Sequence, residues 1–163
     1  MKPHSCTCLA GFKLGLNSHF NIGLDNDCLS EIFFWKNNIV KLNSRANLPY
    51  KAPLLISYSD ASKVGYGAFV VGTNEVTHCM WSTQEIAESS IWRKLKAIQF
   101  SLNSFKALVR GKCIKWHSDN RRAVRIMDTG SPNAKLHFIA FDIFDFCQTH
   151  NVTLMPQWIP PGT

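Results

Sequence analysis

Apolar side chains recur every three or four positions at Leu29, Ile32, Phe33, Trp35, Ile39 and Val40, a spacing that predicts a helix from residue 27, closed by Asn47, Leu48 and Pro49. Residues 1–26 show no sustained period and read as an irregular lead-in. Beyond a linker carrying Pro49 and Pro53 comes a hairpin. Residues 54–62 predict a strand that ends on Asp60, and residues 64–71 its hairpin partner, with Gly65 and Gly67 keeping one face small. Thr73 and Asn74 supply a turn into a third strand over 75–81. A polar segment from Ser82 and Thr83 then leads into one long helix. Its Ile91, Leu95, Ile98, Leu102, Phe105 and Val109 form a single stripe, and Gly111 stops it.

A fourth strand over 113–120 ends as the first does, on Ser-Asp, at Asp119. A short helix over 120–127 follows and is broken at Thr129, Gly130, Ser131 and Pro132. The next helix turns Leu136, Ile139, Ala140, Ile143, Phe144 and Cys147 inward, while Phe138, Phe141 and Phe146 make it apolar nearly all round. The last strand, over 152–159, carries Pro156 and therefore fits only a sheet edge. This order predicts an α/β domain with a mixed five-stranded sheet, three strands antiparallel and two parallel, and helices on its faces. It occupies 51–163; residues 1–50 form the lead-in and a tether helix expected to dock on it.

If the first and fourth strands lie side by side and parallel, their tips are about 4.8 Å apart, and Asp60 and Asp119 can share a divalent metal. Either aspartate alone has an ordinary reading as turn or cap chemistry. Taken with the element order, the metal reading prevails. His117, two positions before Asp119 on the same strand face, reads as a strand histidine able to assist only if a phosphate comes close.

Composition adds a partner. In 163 residues, 18 Lys and Arg against 11 Asp and Glu give a formal charge of +7, which favours a polyanion, nucleic acid first. Lys112, Lys115, Arg121, Arg122 and Arg125 gather around the second acid, either as a solvated basic face or as groups that track phosphates. Hydrophobic content of 45% suffices for a core and excludes disorder as the default. Six cysteines, scattered without paired spacing, read as reduced thiols of an intracellular chain, in cytoplasm or nucleus. Cys6 and Cys8 with His4 are at most half a metal site, and a plain terminal tail is the simpler reading. No apolar run approaches the ~18 residues of a membrane span. Trp81, Trp92, Trp116 and Trp158 lie in elements that need core residues, so at least three read as packing groups.

Several motifs occur in sequence: Ser59–Asp60–Ala61–Ser62, Gly65–Tyr66–Gly67–Ala68, Ser89–Ser90 with Arg93, Leu95 and Ala97, Ser118–Asp119–Asn120, and Trp158–Ile159–Pro160. As a set they resemble the ribonuclease H domain of retrotransposon polyproteins, most of all the DIRS-like, tyrosine-recombinase group. In that group the domain follows a reverse transcriptase, and a segment similar to Phe34–Trp35–Lys36–Asn37–Asn38–Ile39 precedes it. The resemblance spans about 29–160 and implies a ribonuclease H-like sheet of order 3-2-1-4-5. It also implies metal-dependent endonuclease action on the RNA strand of an RNA/DNA hybrid, with Mg2+ (or Mn2+) held by four carboxylates. By position Asp60 would bridge the metals and Asp119 would bind one.

Two departures from the family pattern bear on activity. The family's glutamate in the helix entry is here Lys94, and a cation about 4 Å from a divalent ion costs roughly 8 kcal/mol at an effective dielectric of about 20. Glu85 and Glu88 lie earlier, but Glu88 is six residues from Lys94, which is no whole number of turns. The family's fourth acid follows the Trp-Ile-Pro motif, so the domain is expected to be C-terminally incomplete at Thr163, and Pro161 stands where the family commonly has Arg. No Tyr-x-Asp-Asp pair occurs, which excludes a polymerase site. The expectation is thus a weakened or silent nuclease, with the remainder of a reverse transcriptase polyprotein as partner and no membrane. The alternative is a non-catalytic nucleic-acid-binding or partner-binding remnant whose Phe-rich helix contacts another protein.

Overall fold

The computed structural model describes residues 25–43 and 52–160. His4, Cys6, Cys8, the Asn47–Pro49 stop and Pro161 lie outside the described residues. Contacts divide the chain into two compact units, with residues 3–50 in one and residues 51–163 in the other.

In the first unit, α1 (Asn26–Asn43) begins where the Asp25 carboxylate accepts the Cys28 backbone N–H at 2.7 Å. Cys28 is buried, whereas Ile32, Phe33, Ile39 and Val40 are exposed.

The second unit runs β1 (Leu55–Ala61), β2 (Gly65–Val70), β3 (Val76–Met80), α2 (Thr83–Ile86), α3 (Ser90–Ser104), α4 (Lys106–Val109), β4 (Cys113–Ser118), α5 (Arg121–Thr129), α6 (Ala134–Thr149) and β5 (Thr153–Trp158). The sheet order is β3-β2-β1-β4-β5, as expected, with β1–β2 and β2–β3 antiparallel and β1–β4 and β4–β5 parallel. Pro156 sits on β5, an edge strand, where its missing N–H breaks no ladder.

Local chemistry explains the turns. The Ser62 hydroxyl accepts the N–H groups of Val64 and Gly65 at 3.1 and 3.2 Å and folds the first hairpin. A Cβ on Gly65 would lie 2.5 Å from the Cys79 carbonyl oxygen, so only glycine lets β2 and β3 approach. At the second hairpin Gly72 takes φ +74°, and the Thr73 hydroxyl donates to the Val70 carbonyl at 2.9 Å.

The polar segment after Ser82 forms a short helix of its own, and the one long helix expected up to Gly111 is two. Ser82 and Glu85 form a capping box on α2, Ser89 caps α3 through the Trp92 N–H, and α3 ends at Phe105 before α4 begins. The side chains of Ser101, Asn103 and Ser104 each hydrogen-bond the carbonyl four residues back, a competition with the helix ladder that weakens its last turn. The expected stripe survives the break, since Leu95, Ile98, Leu102, Phe105 and Val109 are all buried.

These residues pack with Ile139, Ile143 and Cys147 of α6 against Ala68, Val70, Ile114 and Trp116 of the sheet, with Leu55 and Leu154 alongside. Because strand side chains alternate, that core uses one face of β1, β2, β4 and β5. Burying each such Leu or Ile contributes about 1.5–3 kcal/mol. Ser57 and Ser59 also point into this face: the Ser57 hydroxyl donates to the Phe69 carbonyl, and Ser59 accepts the Trp116 indole N–H, both at 2.8 Å. On the opposite face the Tyr58 ring stacks on Phe69 at 5.3 Å and on His117 at 4.6 Å.

Candidate nucleic-acid interface

Parallel pairing sets Tyr58 of β1 level with His117 of β4. Asp60 and Asp119, each two residues further on, therefore stand side by side at the strand ends. The Asp60 side chain is 73% exposed and that of Asp119 37%. Asp60 Oδ1 accepts the Ala61 N–H at 2.6 Å, and the Asn120 side chain accepts the Ala123 N–H at 3.0 Å, so Asp119 leads directly into the capped start of α5.

The third member comes from α3. Ala97 packs with Ala61 and Trp81 in a small cluster that holds the start of α3 against the end of β1. Arg93 Nη1 donates to the carbonyls of Ile86 and Glu88 and ties down the turn before the helix. Lys94, only 9% exposed, is thereby aimed between the strand tips. Its Nζ donates to Asp60 Oδ1 and, at 2.6 Å, to Asp119 Oδ1. Burial alone would lower the Lys94 pKa, but the hydrogen bonds and charges of the two aspartates outweigh it and hold the ammonium above its ordinary value. Desolvation pushes Asp60 up, and the Lys94 hydrogen bond, the Ala61 N–H and the Lys94 charge reverse that to a net lowering.

The geometry brings together the acids the sequence selects, but not as a metal centre. Mg2+ takes octahedral oxygen ligation at about 2.0–2.1 Å. Here one oxygen of each carboxylate is bound to an ammonium that stands where such an ion would sit. Among the described residues, no three His, Cys, Asp or Glu side chains converge as a metal site requires. Glu88 does not complete the site; its carboxylate pairs with Lys135 of α6 at 2.9 Å. The described residues thus do not fit a divalent cation.

The basic residues separate into two groups. Arg121, Arg122 and Arg125 are exposed on α5, which starts beside Asp119. Lys115 lies at mid-strand in β4, and Lys112 precedes β4 altogether, seven residues from Asp119 and about 23 Å along an extended strand.

Trp158, not among the candidate site residues, lies beside Asp119. Trp81 and Trp116 are core residues, but Trp158 is 38% exposed at the end of β5. Its indole N–H donates to the Asp119 carbonyl at 3.1 Å, and the Arg121 guanidinium lies 5.8 Å from its ring centre. The available signal was its place at the end of a strand expected to lie beside the Asp119 strand. His117 is a strand histidine as read, but its buried Nδ1 has no hydrogen-bond partner, and burial, with Lys115 nearby, lowers its pKa.

The strand order, the crossover helices and the acids at adjacent strand tips define a ribonuclease H-like fold. No family model and no curated protein matches the sequence. Solved structures do match, at identities that speak to the fold alone. LC11 ribonuclease H1, in complex with RNA/DNA hybrid, superposes with a TM-score of 0.56 and 14% identity over 66% of this chain and 86% of that one. Ribonuclease H1 of the halophilic archaeon Halobacterium salinarum NRC-1 gives 0.55 and 10% over the same shares. The foamy viral protease-reverse transcriptase, in complex with RNA/DNA hybrid, gives 0.51 and 11% over 71% of this chain, which spans 19% of that larger protein. No described helix is long and apolar enough to cross a membrane.

Proposed function

We propose that this chain is the ribonuclease H-like domain of a retroelement polyprotein of the DIRS-like type, and that it binds RNA/DNA hybrid without cleaving it. The observation that carries this reading is the Lys94 ammonium bound between Asp60 and Asp119. Phosphodiester hydrolysis in this fold needs a water made nucleophilic and a leaving oxygen stabilised, both tasks for divalent ions on carboxylates. With an ammonium bound to both acids, neither task has a group to perform it.

Binding is supported separately. Arg121, Arg122 and Arg125 present positive charge beside the strand tips, and the exposed Trp158 ring offers a face for a sugar or base. Two of the solved structures with this fold are complexes with RNA/DNA hybrid. The motif set that resembles the DIRS-like group supports the retroelement origin.

The test is incubation of an end-labelled RNA/DNA hybrid with the chain, with Lys94→Glu and with Asp60→Asn, in Mg2+ or Mn2+, with binding followed by fluorescence anisotropy. Binding without cleavage by the parent is expected. Cleavage by the parent that Asp60→Asn abolishes would overturn the reading, as would the absence of any hybrid binding.

A further inference from the structure

We infer that Lys94 is a tethered cation that replaces a divalent metal between Asp60 and Asp119, so that this site neither binds Mg2+ or Mn2+ nor needs them to hold its fold or to engage a phosphate backbone. The ammonium is bonded to Oδ1 of each carboxylate, and Asp60 Oδ1 also accepts the Ala61 N–H. A divalent ion could enter only if Lys94 left, and a lysine that is 9% exposed would then lose both counter-charges while still enclosed by protein.

The exchange also changes what an incoming phosphate meets. Two bare aspartates at adjacent tips carry a charge of −2 and repel a polyanion. Lys94 reduces that to −1, and Arg121, held over Trp158 beside Asp119, brings the local sum to zero with no metal. An ammonium has three N–H donors. The aspartates take two, and no other acceptor among the described residues takes the third. It remains for a phosphate oxygen approaching past the exposed Asp60 side chain. Lys94 is thus a positioning and charge-balancing group, and Mg2+ would compete with it rather than assist it.

The backbone-binding half of the inference rests on the nucleic-acid reading above; the metal half does not. The experiment uses the full chain, Lys94→Met and Lys94→Glu. Melting temperature is read in EDTA and in millimolar MnCl2, bound Mn2+ by electron paramagnetic resonance, and affinity for a labelled RNA/DNA hybrid by anisotropy. For the parent, the melting temperature and hybrid affinity are expected to be the same in EDTA and in Mn2+, with no Mn2+ bound. Lys94→Glu is expected to melt lower in EDTA, to bind Mn2+ and to recover stability in it. Lys94→Met is expected to bind hybrid roughly tenfold more weakly in EDTA, the scale of one charge-assisted contact. Mn2+ bound by the parent, or parent hybrid binding abolished by EDTA, would overturn the inference. If Lys94→Glu does not fold, the parent and Lys94→Met still decide it. Should the Mn2+ results hold while no form binds hybrid, the tethered cation stands and the nucleic-acid reading fails.

Discussion

Removing the three arginines of α5 gives a quantitative test of which surface meets nucleic acid. Arg121, Arg122 and Arg125 are all exposed, and none is in a salt bridge among the described residues. If each neutralises one phosphate, the triple Arg→Ala variant should lower the slope of log affinity against log salt by about 2.7, at roughly 0.9 per contact on duplex. Over a fourfold rise in salt, the parent would then lose about 40-fold more affinity than the variant. Fluorescence anisotropy on a labelled hybrid across a salt series reads this directly. Single variants should each account for about 0.9 of slope. Lys112→Ala, on the far side of β4 from the acids, should leave the slope unchanged. A triple variant with the parent's slope would refute the assignment of α5 to the interface, and a slope lost only with Lys115 would move the interface onto the sheet face opposite the core.

The packing and titration of the domain make further predictions. Gly65→Ala should destabilise by about 1–3 kcal/mol in chemical denaturation, because its Cβ would meet the Cys79 carbonyl; an unchanged midpoint would contradict that close approach. Leu95→Ala, at a fully buried position, should cost about 2–5 kcal/mol by the same assay, and a loss under one would mean that the α3 stripe is not the core. Burial pushes the Cys147 thiol up to about 12, so iodoacetamide at mildly alkaline pH should label exposed Cys79 and spare Cys147; equal labelling in the native state would contradict that burial. Asp60 has a folded pKa below its ordinary 3.8, so its contribution is complete above that value and is lost as pH falls through the lowered one. Asp60→Asn should therefore flatten the acid limb of stability against pH, and an unchanged limb would show that Asp60 is not the group responsible.

Much of this fold could be read in the sequence, because its signals are local. Short runs bounded by turn residues mark the five strands, and Pro156 marks an edge. The placement of β1 beside β4 entered as a condition and as part of the strand order that the resemblance implies, and the sheet has that order. What escaped depended on side chains competing for backbone or meeting across long separations. The break at Phe105 arises from Ser101, Asn103 and Ser104 bonding backward, which an apolar stripe does not record. The sequence marked Lys94 as the wrong charge in an acid's place, yet its simultaneous bond to both aspartates emerges only once α3 lies across the two strand ends. With at least three of four tryptophans read as packing, the exception is Trp158, which the sequence does not single out because edge exposure depends on what covers a strand, not on its residues. The cluster of five basic residues was grouped by nearness in sequence, whereas an extended strand sends Lys112 and an adjoining helix sends Arg121 in opposite directions.

The bond between the Trp116 indole and the Ser59 hydroxyl acts as a registration pin. It joins β4 to a β1 residue beyond the one directly opposite it, inside the core, and a slip of one residue would turn Ser59 to the other face and break it. Alignment of the two strand ends is therefore fixed in the interior, one residue before the exposed tip of β1. What stands at those tips can change without disturbing the frame that presents them. Here the tips hold a carboxylate pair around a lysine, and the pin that aligns the strands is no part of that group.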